Sequence, residues 1–147
     1  MARAATAFAP QPPEKLSLST LERHLWGAAD ILRGKIDSSD YKHYIFGLLF
    51  YKRICDVWQE EFEKRMDFYH DAELAADRDE HRFDIPEGAF WSDVRKKSTD
   101  IGQELNMAFH RIEDANPRLK GVFQDVDFNN KERFPDETLE LLLQHFE

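Results

Sequence analysis

The stretch SSDYKHYIFGLLFYKRICDVW, residues 38–58, has the length and unbroken run of a helix, yet it is apolar on nearly every side. At helical spacing one face carries Tyr41, Ile45, Leu48 and Cys55. A second carries Phe46, Leu49, Phe50 and Val57, and a third adds Tyr44, Tyr51, Trp58 and Phe62. Polar residues gather into one strip only in the second half, with Lys52, Arg53, Asp56, Gln59 and Glu60. A helix that is apolar all round is a buried one, so the segment predicts the central rod of a helical bundle, surrounded by other helices. Beyond it the chain turns acidic (Glu60, Glu61, Glu63, Asp67, Asp71, Glu73), which predicts that the far end emerges into solvent.

The flanking sequence supplies the other helices. Ser19-Thr20-Leu21-Glu22 fits a capping box, and Leu21, Leu25, Ala28, Ala29 and Leu32 recur at helical spacing until Gly34, giving a first helix over about 20–33. Asp37, Ser38 or Ser39 can cap the central helix. The segment DRDEHRFDIP, 77–86, reads as an exposed loop with an extended piece before Pro86. Ser92 can cap a brief helix in WSDVRKK. Ser98 or Thr99 can cap a longer one through Ile101, Leu105, Ala108, Phe109 and Ile112, stopped by Asn116-Pro117. Residues 118–134 look irregular, anchored by Phe123, Val126 and Phe128. A last helix opens at Pro135-Asp136, with Leu139, Leu142, Leu143 and Phe146 inward. The expected fold is all-α, a bundle around a long buried helix, with short extended segments and loops near 82–86 and 118–134. Residues 1–15, with three of the six prolines, read as a flexible tail ahead of one domain over 16–147. Because LELLLQHFE stops in mid-pattern, the chain is expected to be a fragment of a longer protein.

Charge restricts function. Net charge is −9, with 8 Lys/Arg against 5 Asp/Glu in residues 1–53 and 12 against 24 thereafter. Affinity for nucleic acid comes largely from cations that neutralise phosphates, so such a chain needs basic help from elsewhere to hold DNA. Two clusters are candidates for a nucleic-acid or partner contact: Lys52-Arg53 and Arg95-Lys96-Lys97. Each could equally snorkel, or pair with acids such as Asp56 and Asp93. One cysteine, no secretory apolar block and no membrane-length apolar run point to the cytoplasm.

Reaction chemistry is not written in these residues. The six glycines lie seven or more residues apart, so there is no glycine-rich loop to cradle a phosphate or nucleotide. His70, Asp71, Asp77, Asp79, Glu80 and His81 crowd one stretch, but no zinc-site spacing is present and the segment reads as a solvated charged loop. Cys55 reads as a buried small hydrophobe rather than a nucleophile. Asn116-Pro117-Arg118-Leu119 shares its first two residues with the Asn-Pro-Pro-aromatic loop of amino methyltransferases. It lacks the second proline and the ring, and reads as a helix stop. No catalytic, cofactor-binding or metal-ligating residue is expected.

The residues LWGAADILRGKIDSSDYKHYIFGLLFYKRICDVW (25–58), and then FDIPEGAFWSDVRKK, IGQELNMAFHRIEDANPRLKGVF and VDFNNKERF in order, resemble the N-terminal helical domain of the modification (M) subunit of type I restriction–modification systems, an adenine-N6 DNA methyltransferase. The resemblance spans about residues 16–147, with Cys55 a minor departure where a small polar residue is expected. It implies that a catalytic Rossmann-like domain follows residue 147, carrying S-adenosylmethionine and the Asn-Pro-Pro-aromatic loop. It further implies a complex of two M subunits with a specificity (S) subunit, joined by restriction (R) subunits and double-stranded DNA, in which this domain helps to clamp DNA and contacts other subunits. The competing expectation is a free-standing acidic helical interaction module. A small metal-dependent enzyme using His70 and His81 is a third.

Overall fold

The computed structural model describes residues 17–147; the segment expected to form a tail lies outside them. Among the described residues there are six α-helices and no strand: α1 (Leu18–Leu32), α2 (Tyr41–Tyr69), α3 (Ala72–Ala75), α4 (Trp91–Arg95), α5 (Ile101–Ala115) and α6 (Asp136–His145). The all-α expectation holds.

Helix α1 starts earlier than the capping-box reading predicts. Ser17, not Ser19, is the cap: its hydroxyl accepts the Thr20 amide at 3.1 Å, which draws Ser19 into the first turn. Gly34 follows the helix at φ 83, a conformation that costs a residue with a Cβ. Asp37 begins the next element, accepting the Ser39 amide at 3.2 Å over a single 3-10 turn (Ser38–Asp40) that runs straight into α2.

At 29 residues α2 is about 44 Å long. Tyr44, Ile45, Leu48, Tyr51, Ile54 and Cys55 face the core. The rod is not enclosed, however. Phe46 is 50% exposed, and Leu49, Phe50, Val57, Trp58 and Phe62 are only half-buried. Two of the five other helices are about one turn long, so there is too little helical surface to wrap a rod of this length.

The far end of α2 also differs from expectation. Phe68 and most acids there are exposed, but the chain reverses at His70 (φ 56) and residues 71–84 return along the helix. Arg65 pairs with Glu80 at 2.7 Å, and the Tyr69 hydroxyl donates to Glu80 at 3.3 Å. His81 is not in a solvated loop. Its ring stacks on Trp58 (centroids 4.3 Å apart, 8° between planes), with Nδ1 3.1 Å from Glu61 and Nε2 2.8 Å from the Ala75 carbonyl. A flat ring with two polar edges satisfies both while covering an indole, which charge density in the sequence does not reveal.

Two caps come from places other than those the sequence suggests. In α4 the Asp93 carboxylate accepts the Phe90 amide at 3.1 Å, and Ser92 lies inside the helix. The start of α5 is capped from across the fold: Asp136, in the first turn of α6, accepts the amides of Asp100 (3.2 Å) and Ile101 (3.0 Å), so Ser98 and Thr99 are not used.

Residues 118–134 hold no regular element beyond a 3-10 turn at Pro117–Leu119, yet they complete the core. Phe109 stacks on Phe123 at 4.2 Å, Tyr44 meets Phe128 at 5.1 Å, and Phe134 packs 4.8 Å from Tyr44. Side chains of α5 pin this segment: Asn106 accepts the Phe128 amide at 3.0 Å, and Glu113 accepts those of Gly121 and Phe123. The chain passes so close to α5 that a Cβ on Gly102 would lie 2.1 Å from the Phe128 carbonyl oxygen. Asn116 is buried where α5 ends. Its amide nitrogen donates to the Asp84 and Ile112 carbonyls and its oxygen accepts the Asp84 amide, so the Asn-Pro pair is a helix stop and a clamp on the 81–86 segment.

Candidate interaction surface

The residues singled out for chemistry are placed in structural roles. Cys55 is buried beneath α4, its sulfur accepting the Trp91 amide at 3.4 Å, and burial pushes the thiol up to about 12. Burial that favours the neutral thiol makes a poor nucleophile. Tyr51 is likewise raised by burial, its hydroxyl donating to the Ala89 carbonyl at 2.7 Å. Among the described residues no three His, Cys, Asp or Glu side chains are grouped to hold a metal.

The glycines give no cradle for a nucleotide-like cofactor. Gly27, Gly47 and Gly102 are small because His145, Val126 and the backbone at Phe128 press against them, while Gly34, Gly88 and Gly121 serve positive-φ turns. None of the six glycines lies in a cluster that would let the backbone close on the phosphate-like or nucleoside part of such a ligand, S-adenosylmethionine included.

Two surfaces remain. The first lies between α1 and α2, where Leu25, Trp26, Ala29, Tyr41, Ile45 and Phe46 line a groove of about 450 Å³ with Glu22, Ser38 and Lys42 at its edge. Trp26 is 68% and Phe46 50% exposed, and large apolar side chains so displayed together mark contact surfaces. Periodicity alone does not reveal this groove, because it assigns Phe46 to the packing of the rod. Trp26 gave the available signal: it falls outside the apolar stripe Leu21, Leu25, Ala28, Ala29 and Leu32.

The second surface joins residues of the two basic clusters. Lys52 on α2 and Arg95 on α4 are 43 positions apart in sequence, and the fold gathers both around Trp91. The Lys52 ammonium sits 5.8 Å from the Trp91 ring centroid and 2.6 Å from Asp56, the pairing its sequence neighbourhood suggests. Arg53 reaches Glu60 at 3.7 Å, both exposed. Arg95 does not pair with Asp93; it forks onto the carboxylate of Glu147, through Nε and through Nη2 (3.3 Å to Oε1). The Trp91 indole donates to the same carboxylate at 3.2 Å. Hydrogen bonding to Arg95 holds the Glu147 carboxyl below the usual range and raises the Arg95 guanidinium in turn. Lys96 and Lys97 are exposed and make no ion pair among the described residues.

What the fold and surface define is an all-helical domain with an open apolar groove and, among its described residues, no grouped metal-ligating side chains. A family model for the HsdM N-terminal domain matches residues 21–146, and the chain belongs to that family. It is thus an N-terminal domain of the modification subunit of type I restriction–modification systems, the methyltransferase subunit of those assemblies. No helix among the described residues is long and apolar enough to cross a membrane.

Proposed function

We propose that this domain braces the modification subunit, docking a neighbouring subunit through the α1–α2 groove and meeting the DNA backbone through the basic surface around Trp91. The observation that carries the reading is that Lys52 on α2 and Arg95 on α4, one residue from each basic cluster, meet around Trp91 in an otherwise acidic domain. Backbone neutralisation needs cations in a group, and the approach of these two from helices distant in sequence supports that reading.

In this reading the full subunit is an adenine-N6 methyltransferase. S-adenosylmethionine and the reacting adenine are held by a catalytic domain that follows residue 147. The partners are a second M subunit, the S subunit that reads the sequence, R subunits and double-stranded DNA, in the cytoplasm. Extruding an adenine costs a few kcal/mol of unstacking. A rigid domain that makes contacts only when DNA is gripped offsets part of that cost by favouring the closed state.

Charge reversal tests the DNA-facing assignment. Lys96→Glu with Lys97→Glu, and separately Lys52→Glu with Arg53→Glu, are expected to weaken DNA binding by the assembled complex and to flatten its salt dependence. Unchanged affinity and slope for a cluster would remove it from the DNA surface.

A further inference from the structure

The contact between Glu147 and the Trp91–Arg95 pair has the form of a ligand in a seat. Three donors converge on one carboxylate: the guanidinium Nε and Nη2 of Arg95 and the indole Nε1 of Trp91. Lys52, 5.8 Å from the centre of the indole, adds positive charge and contributes to lowering the Glu147 carboxyl. A planar fork with a neighbouring N–H suits any oxyanion offering two oxygens, a phosphodiester as well as a carboxylate.

The present occupant is partly open to water: the Glu147 side chain is 41% and that of Arg95 25% exposed. Water screens such a pair. Exposed ion pairs contribute about 0.2–1 kcal/mol, and the forked geometry places this one toward the strong end of that range. An external oxyanion presented at high local concentration nevertheless competes for the same donors. The acids nearby, Glu140, Asp93 and Asp56, are engaged differently: Asp93 caps α4, Asp56 pairs with Lys52, and Glu140 acts on Arg95 only through its field. Exposed Lys96 and Lys97 follow Arg95 directly. A single carboxylate from a peptide would leave these two cations unused, whereas a run of phosphates engages them in series.

We propose that Trp91 and Arg95 form a seat for one backbone phosphate of duplex DNA, and that Glu147 is an internal stand-in for that phosphate which must leave before the DNA is gripped. The inference rests on the DNA-facing assignment above and deepens it. Glu147 then acts as a competitor that keeps this surface from holding DNA when few other contacts are made.

The test measures duplex DNA binding by the assembled complex carrying Glu147→Gln, Arg95→Glu, or both. Gln keeps the shape of Glu at an exposed position and removes the charge. The proposal expects Glu147→Gln to bind about 1.5- to 5-fold tighter, the range set by the strength of an exposed ion pair. Arg95→Glu should weaken binding, and the gain from Glu147→Gln should vanish in the double variant. If Arg95→Glu weakens binding but Glu147→Gln does not tighten it, the stand-in role is wrong while the DNA surface survives. If the gain persists without Arg95, it is a general charge effect and the seat is refuted. If Glu147→Gln changes subunit assembly and leaves DNA binding alone, the seat takes a protein carboxylate instead. If Arg95→Glu leaves DNA binding unchanged, the seat is refuted, and the DNA-facing reading then stands or falls with the Lys52–Arg53 and Lys96–Lys97 charge reversals.

Discussion

Tyr51 and Phe46 are aromatic residues five positions apart on the same helix, and they have opposite fates. Tyr51 is fully covered: its ring lies 5.3 Å from Trp91 and 5.2 Å from Phe109, and its hydroxyl is bound to the Ala89 carbonyl. Phe46 is half exposed above the α1–α2 groove. Residue type does not separate them, and neither does helical propensity. The difference is what the rest of the chain lays over each: α4, α5 and the 85–90 segment reach Tyr51, and nothing among the described residues reaches across Phe46. One face of α2 is the inside of this domain, and the other is left open.

Substitutions at the two faces should therefore behave differently. The largest loss is expected from Tyr51→Ala, about 3–5 kcal/mol by denaturant unfolding, because a large buried ring leaves a cavity. A loss below about 1 kcal/mol would show that the covered face is not the core. Gly102→Ala comes next, at about 1–3 kcal/mol, since the added methyl meets backbone at Phe128 rather than a movable side chain. Unaltered stability there would mean that the 118–134 segment is not pinned to α5. Phe46→Ala should change stability least, within about 0.5 kcal/mol, while weakening association with a neighbouring subunit. A central aromatic contact of that kind is worth about 2 kcal/mol, or roughly thirtyfold in affinity.

The comparison also marks what could be read in the sequence. Periodicity places α1, α5, α6 and the start of α2 within a few residues, and the inward Leu139, Leu142, Leu143 and Phe146 are all buried, because local spacing encodes which stripe of a helix is apolar. Three features depend on residues far apart in the chain and carry no local signal. The cap of α5 comes from Asp136, His81 is buried by stacking on Trp58, and Phe46 is left uncovered. Phe134 completes the aromatic core from a segment without periodicity. The surface is legible to a similar degree. The five basic residues stand out against an acidic background, and the Lys52–Asp56 pair follows from helical spacing. Only the fold brings Lys52 and Arg95 to one indole and supplies Glu147 as the partner of Arg95.

Oxidative footprinting of Trp26 and Phe46, in the chain alone and in the assembled restriction–modification complex, tests the central claim most directly. Both side chains should be labelled readily in the isolated chain and protected in the complex, with buried Tyr51 unlabelled in each. Equal labelling of Trp26 and Phe46 in the two states would contradict the assignment of this face to subunit contact.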